Sequence, residues 1–399
     1  MTAVRTTWIV ALLSWLPLAA SNGLAQAPNR LAARIDSVFA VYQRPGTPGC
    51  AVGVSKAGAL EYAKGYGLAN VESTTPITPA TVFNVGSTSK QFVAFAIALL
   101  AAEGKLSLAD PVRRFVPEVP DFGTPVTIRQ LLNHTSGLRD YASVLSLMGW
   151  QGGDQYDEGR FLSLIGGQRR LNFTPGTRHL YSNTGYILLA TIVSRASGKG
   201  WPAFAAERIF RPLQMTKSEV RTDPFALAPD RALAYSPAAG GTWRLDMPNH
   251  DIAGSTAVMT TVEDLARWTG NYWRPVVGDE AVLATMLQRG VLAGGDTIAY
   301  AAGLMIGEYR GLALVDHGGA TGGYRAQLLR FPTEQVGIAV LCNAGNSNPD
   351  GLARQVADRV LESRLRPARP AAPAVTLSSA DLRVSNRRAI GVRFDRVPE

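Results

Sequence analysis

Apolar residues at Leu31, Ile35, Phe39 and Tyr42 repeat every three or four positions and predict a helix across Asn29 to Arg44. Two strands are then expected, Cys50 to Ser55 and Leu60 to Gly67, joined by a turn at Lys56-Ala57-Gly58. Gln91 to Ala102 is apolar around its whole circumference, the signature of a buried helix, and Gly104 stops it. Further helices are expected at Val126 to Asn133, Arg160 to Ile165, Thr184 to Ser197, Trp201 to Ile209 and Thr261 to Trp268. From Ala299 the texture turns to short β-rich runs: Ala301 to Glu308, Leu312 to Val315, Tyr324 to Phe331 and Val336 to Leu341. Leu352, Val356 and Val360 share one face of a closing helix over Gly351 to Arg366. Strands at both ends around a helical middle predict an α+β fold. One antiparallel sheet, flanked by helices, would be built from 28–86 and 290–366, with an all-helical subdomain from 87–289 inserted.

The ends read differently. Residues 1–27 carry Arg5, an apolar run from Trp8 to Ala20 and the small-x-small site Ala25-Gln26-Ala27, as expected of a secretory signal peptide. That run is too short to span a membrane. Export to the periplasm or medium is therefore expected, with a mature chain starting near Pro28 and carrying no membrane span. Residues 367–399 read as a Pro/Ala linker and a short basic tail. In a chain of 399 residues with 46% hydrophobic content, the remaining 28–366 can bury a large core.

Charge and sulfur narrow the function classes. The net charge is +9, but roughly half of the excess lies in the leader and tail. No basic run is interleaved with aromatics, which argues against nucleic acid as a partner. Four scattered histidines and two distant cysteines give no metal-ligand spacing, so neither metal nor cofactor is expected. Cys50 and Cys342 both fall in apolar strand-like runs. A disulfide between them and a pair of buried free thiols both fit.

Candidate chemistry begins at Ser87-Thr88-Ser89-Lys90, the one S-x-x-K in the chain, where a strand and turn enter the apolar helix. Residues three apart share a helical face, so Lys90 would sit one turn above the Ser87 hydroxyl. The helix N-terminus favours negative charge, which helps an alkoxide and a neutral lysine alike. This is a design for an activated nucleophile. Leu131-Leu132-Asn133-His134-Thr135-Ser136-Gly137-Leu138 reads as a helix end with a polar turn, which makes His134 structural. At Tyr181-Ser182-Asn183 a lysine alongside would depress the tyrosine pKa, making Tyr181 a base, whereas an ordinary half-buried tyrosine is the plainer reading. Asn183 could hold the lysine and meet a substrate amide. Asp316-His317-Gly318-Gly319-Ala320-Thr321-Gly322-Gly323-Tyr324 leads into a strand. Its glycines either permit close approach of another backbone or form a hairpin turn.

In this order the three motifs resemble those of the serine β-lactamase and penicillin-binding superfamily, most closely the class C β-lactamase, D-Ala-D-Ala carboxypeptidase and esterase group. Pro48-Gly49-Cys50-Ala51-Val52 and Leu341-Cys342-Asn343 match its framing strands, and the resemblance covers Leu31 to Arg366. It implies that Ser87 is acylated, that Lys90 and Tyr181 share general-base work, and that Asn183 orients Lys90 and substrate. His317 would support the Tyr181 hydroxyl electrostatically or by a hydrogen bond, Gly319 completes the third motif, and the N–H groups of Ser87 and Ala320 would form an oxyanion hole.

One departure bears on substrate. The β-lactamases have Lys-Thr-Gly-Ser at the third motif; this chain has His317-Gly318-Gly319-Ala320. Both anchoring hydroxyls are gone, and hydrogen bonds to charged groups are worth about 1.5–3 kcal/mol each, so weak or no β-lactam turnover is expected. Arg325 reads as a strand-surface residue or a substitute charge. The expectation is an exported serine hydrolase cleaving an ester or peptide amide of a small-molecule or peptide substrate. Its alternatives are a D-amino-acid peptidase, a β-lactamase proper, and an idle binder of peptidoglycan-like peptides.

Overall fold

Alternation along the chain builds the central sheet. In β1 (Cys50–Lys56), Cys50, Val52 and Val54 face one side, while Ala51 and Gly53 face the other. In β6 (Val336–Cys342), Val336, Ile338, Val340 and Cys342 share the first side, opposite Ala339 and Leu341. Strands buried on both faces read as near-continuous apolar runs, as these do. The computed structural model covers residues 26–150, 154, 156–249, 252–367, 382–385 and 389–392.

With β2 (Ala59–Tyr66), β3 (Met305–Tyr309), β4 (Leu312–Thr321) and β5 (Tyr324–Phe331), these strands form one six-stranded antiparallel sheet in the order β3-β4-β5-β6-β1-β2. The two ends of the chain thus meet at β6 and β1, as the strand pattern predicts. Cys50 and Cys342 face each other in that pairing and are joined as a disulfide.

Ten α-helices lie among the described residues: α1 (Gln26–Val38), α2 (Lys90–Ala102), α3 (Ile128–Leu132), α4 (Tyr141–Leu147), α5 (Glu158–Gly166), α6 (Asn183–Ser197), α7 (Trp201–Ala205), α8 (Val262–Gly270), α9 (Glu280–Leu287) and α10 (Pro349–Val360). Ile35 and Phe39 from the α1 region and Leu352, Ala353, Val356 and Ala357 of α10 cover the larger apolar side chains of the sheet. The opposite face takes α8, because its residues are small. A Cβ on Gly53 would lie 2.9 Å from Val262 Cβ, and one on Gly337 would lie 2.6 Å from Thr269 Cγ2. Beyond α8, α2 is buried from Lys90 to Leu100 and forms the axis of the helical region. Trp268 Nε1 donates to Gln91 Oε1 at 2.6 Å and ties α8 to it.

The inserted segment is helical in bulk, but it also carries short strands. Val258–Thr260 pairs with Phe83–Asn84 and with Glu219–Val220, and Tyr235–Pro237 pairs with Trp243–Leu245. The expected all-helical insertion is corrected to that extent. Helices α4 and α9 were not legible from apolar spacing; each starts from an Asp N-cap. Buried Asn343 fastens the insertion to the sheet: its Oδ1 accepts the Gly49 N–H at 2.8 Å, and its Nδ2 donates to the carbonyls of Leu68 and Leu233. Most of the expected leader, residues 1–25, and of the tail lies outside the described residues. Within the tail, Leu382–Ser385 and Ala389–Val392 pair as a hairpin.

The disulfide closes a loop between cysteines 292 positions apart. A cross-link of that span acts largely by restricting the unfolded chain and is worth about 2–5 kcal/mol. Replacing both cysteines by alanine should lower the urea midpoint accordingly, and an unchanged midpoint would show that the bond adds nothing.

Candidate active site

Ser87 sits in a tight turn. Asn84 Oδ1 accepts the Gly86 N–H at 2.9 Å, Gly86 takes a φ of +52°, and Gly86–Ser89 forms a 3-10 turn that passes directly into α2 at Lys90. The expected one-turn juxtaposition follows: Lys90 Nζ lies 3.0 Å from Ser87 Oγ. The same nitrogen donates to Asn183 Oδ1 and to the Ser255 carbonyl, each at 2.9 Å.

Lys90 is fully buried, and that burial pushes its pKa down to about 7, with the Asp140 carboxylate pulling weakly the other way. A neutral amine has two N–H bonds and one lone pair. Asn183 Oδ1 and the Ser255 carbonyl can only accept, so they take both N–H bonds and leave the lone pair facing the Ser87 hydroxyl. The sequence motif therefore becomes a base aimed at a nucleophile.

Asn183 opens α6, and its backbone N–H donates to Asp140 Oδ2 at 2.6 Å. Asp140 also caps α4 through the N–H groups of Ala142 and Ser143, so one carboxylate sets two helix starts. Tyr181 precedes α6, with Lys90 Nζ 4.8 Å from its ring centroid. The residue is 38% exposed, and its hydroxyl lies on the side of Ser87. Burial pushes the phenol pKa up, and the Ser87 contact offsets only part of this. That corrects the expected tyrosinate: the Lys90 amine, its own pKa lowered to about 7, does not offset the burial, and Tyr181 stays protonated.

The third motif lies inside β4 instead of preceding a strand, and the turn comes only at Gly322 and Gly323. Gly319 has no room for a side chain. A Cβ there would lie 1.9 Å from the Val85 carbonyl oxygen and 2.9 Å from the Ser87 nitrogen. Reciprocally, a Cβ on Gly86 would lie 2.5 Å from the Ala320 nitrogen. The close-approach reading of the glycines holds, and the backbones of Ser87 and Ala320 run side by side as an oxyanion hole requires.

His317 does not bond to Tyr181. Its Nδ1 contacts the Gly318 carbonyl at 2.6 Å, so it carries the proton, and Nε2 accepts from the Tyr300 hydroxyl at 2.9 Å. Burial pushes its pKa down to about 4, with Lys90 adding to the effect, so the ring is neutral. The hydrogen-bond form of the expected support is corrected: the bond goes to Tyr300, whose ring lies edge-on to Tyr181 at 6.2 Å. His134 is structural, as expected. Its Nδ1 accepts the Ser182 N–H at 3.2 Å, and its ring packs 4.2 Å from that of Tyr181.

Three functional groups escaped the sequence reading: Asp140, the Ser255 carbonyl and Tyr300. Asp140 has the N-cap position ahead of α4 as a signal. A backbone carbonyl and a lone buried tyrosine leave none. Ser87, Tyr181, His317, Gly319 and Ala320 line one cleft of about 520 Å³, together with Arg325. Arg325 is held there by donating to the carbonyls of Gly322 and Tyr324, each at 2.7 Å. Gly319→Ala should cut kcat at least tenfold while the protein stays folded, because β4 must back away from Ser87; wild-type kcat would show that the approach is not needed.

Known proteins share this fold. A family model described as Beta-lactamase matches residues 35–362. A D-aminopeptidase of Gluconobacter oxydans (strain 621H) is 27% identical over 314 residues, 79% of this chain and 58% of that protein. A penicillin-binding protein of Bacillus subtilis (strain 168) is 30% identical over 314 residues, 72% of this chain and 66% of that protein. The chain thus spans less than two thirds of either relative. The octameric penicillin-binding protein homologue from Pyrococcus abyssi superposes with a TM-score of 0.72 at 29% identity, over 86% of this chain and 78% of that one. The D-amino acid amidase from Ochrobactrum anthropi SV3 has the same fold, with a TM-score of 0.68 at 22% identity over 84% of this chain and 99% of that one. A match across most of the chain, with Ser87, Lys90 and Asn183 joined by hydrogen bonds beside Tyr181, places this protein in the β-lactamase family of serine hydrolases.

Proposed function

We propose that the protein hydrolyses an ester or a peptide amide through an acyl-Ser87 intermediate, with weak or no β-lactam turnover. The observation that carries this is the buried Lys90 amine, its two N–H bonds taken by Asn183 and Ser255 and its lone pair left for Ser87. Lys90 takes the Ser87 proton as Oγ bonds to the substrate carbonyl carbon. The N–H groups of Ser87 and Ala320 bind the resulting oxyanion. The proton on Lys90 passes through the Tyr181 hydroxyl to the leaving group, whose bond to carbon then breaks. Water repeats the sequence on the acyl-enzyme and releases the acid.

A second reading, hydrolysis of D-amino-acid peptides or amides, is favoured by the relatives named D-aminopeptidase. Arg325 also supports it, as a positive charge in a cleft whose third motif lacks the family lysine. The disulfide and the expected leader support export, to the periplasm or the medium.

Because only the neutral amine can accept the proton, kcat/KM for p-nitrophenyl acetate should rise with pH through about 7, the Lys90 value. Asp140 raises that value, so Asp140→Asn should move the acid limb to lower pH; a profile flat from pH 5 to 9 would remove Lys90 as the base. Intact-mass analysis after a fluorophosphonate should show one adduct, absent in folded Ser87→Ala. A long-lived penicilloyl adduct would favour the D-amino-acid peptidase, and no adduct from either reagent would favour an idle binder.

A further inference from the structure

The cleft that holds Ser87 and Tyr181 continues across β4 to Gln327 on the neighbouring strand β5. β3 pairs with β4 only as far as Asp316, so among the described residues no strand lies beside His317–Thr321 on that edge. Gly318, in the middle of this stretch, puts no side chain over the edge. Gln327 is its partner on β5, so the two residues share one face of the sheet.

Gln327 is 5% exposed, yet only one end of its amide is used. Nε2 donates to Asp316 Oδ2 at 2.9 Å. Burial raises the Asp316 pKa to about 6, so at neutral pH the group is a carboxylate and can only accept. The amide therefore has a single orientation, with Oε1 as its open end. That oxygen accepts no hydrogen bond among the described residues. A Cβ on Gly318 would lie 2.7 Å from it, so the missing side chain is what leaves it open to the cleft. A buried acceptor without a donor is costly, and a donor on a bound substrate would remove that cost.

The neighbours indicate which part of a substrate comes here. Tyr181 passes the proton to the leaving group, and its ring lies 6.3 Å from that of His317, the residue before Gly318. Arg325 stands two positions before Gln327 on β5, hence on the same face, and lines the same cleft. A carboxamide offers an N–H to Gln327 and a carbonyl to Arg325. A carboxylate has nothing to donate to Gln327, and a hydrocarbon offers neither group.

We propose that Gln327 is a specificity-determining residue: its Oε1 accepts a hydrogen bond from an amide N–H of the leaving group, which runs from Tyr181 past His317 and over Gly318. Substrates whose leaving group continues as a peptide or carboxamide are thereby preferred over those that end in an ester or a carboxylate. A site built to meet an N–H discriminates against the analogue without one, because its own acceptor is then left unpaired.

This rests on the acyl-serine reading, and the test separates the two. p-Nitrophenyl acetate reports the chemistry alone. The acetate esters of N-methylglycolamide, methyl glycolate and glycolate, followed by acetate release, differ only in the group offered to Gln327. Wild-type protein should favour the N-methylglycolamide ester at least tenfold in kcat/KM over the other two. Gln327→Met should bring the N-methylglycolamide and methyl glycolate esters within twofold of each other. Gly318→Ala, whose Cβ would cover Oε1, should do the same with Gln327 in place. Turnover of p-nitrophenyl acetate with equal rates for the three esters overturns this inference alone. So does a preference that survives in both folded variants, and so does a preference for the glycolate ester, which would give the selection to Arg325. Wild-type protein that turns over none of these esters removes the acyl-serine reading and this inference with it.

Discussion

Everything chemical in this fold depends on the removal of one lysine from water. Lys90 has no exposed surface, and an ammonium there loses its hydration without gaining a carboxylate contact. Lowering its pKa from 10.5 to about 7 corresponds to on the order of 5 kcal/mol against the charged form. The helical region supplies that free energy by packing α2 and α6 around the amine, with the Tyr181 and Tyr186 rings beside it, so the base is a product of the core. Asp140 is placed beside the site but not on the nitrogen, which leaves the amine poised near neutrality.

The same burial governs the neighbours. Tyr181 keeps its proton, and His134 and His317 are held neutral, because no group in this part of the cleft can carry charge cheaply. Neutral partners suit a site in which one proton must leave Ser87, rest on nitrogen and move on to the leaving group. A histidine in the third motif thus changes its electrostatics more than its shape. It removes a fixed positive charge and replaces it with a hydrogen-bond acceptor for Tyr300. The remaining positive charge of the cleft belongs to Arg325, on the next strand, held by two carbonyls.

Close backbone contact supplies the rest of the geometry. β4 lies against the nucleophile turn because Gly319 and Gly86 each lack the atom that would collide with the other segment. The Ser255 carbonyl reaches Lys90 because the chain just after it is stitched to that turn: Val258 N–H donates to Ser89 Oγ, and its carbonyl accepts from Val85. Sheet and helical region therefore meet along a line of main-chain contacts, with side-chain chemistry suspended between them.

Periodicity alone located β1, β2, β5, β6, α2, α6 and α10, because apolar spacing records which face each element buries. The order of three short motifs was enough to single out Ser87, Lys90, Tyr181, Asn183 and Gly319: the first four lie at or beside the starts of α2 and α6, and Gly319 lies within a glycine-rich run of β4. What the sequence could not determine was protonation and pairing. Whether Tyr181 is a base, which hydroxyl His317 serves and whether Cys50 meets Cys342 depend on desolvation and strand register. Both are set by residues tens to hundreds of positions away. Asp140, Ser255 and Tyr300 entered the site for the same reason: only the folded chain brings their oxygens near Lys90 and His317, and no one-dimensional pattern encodes that proximity.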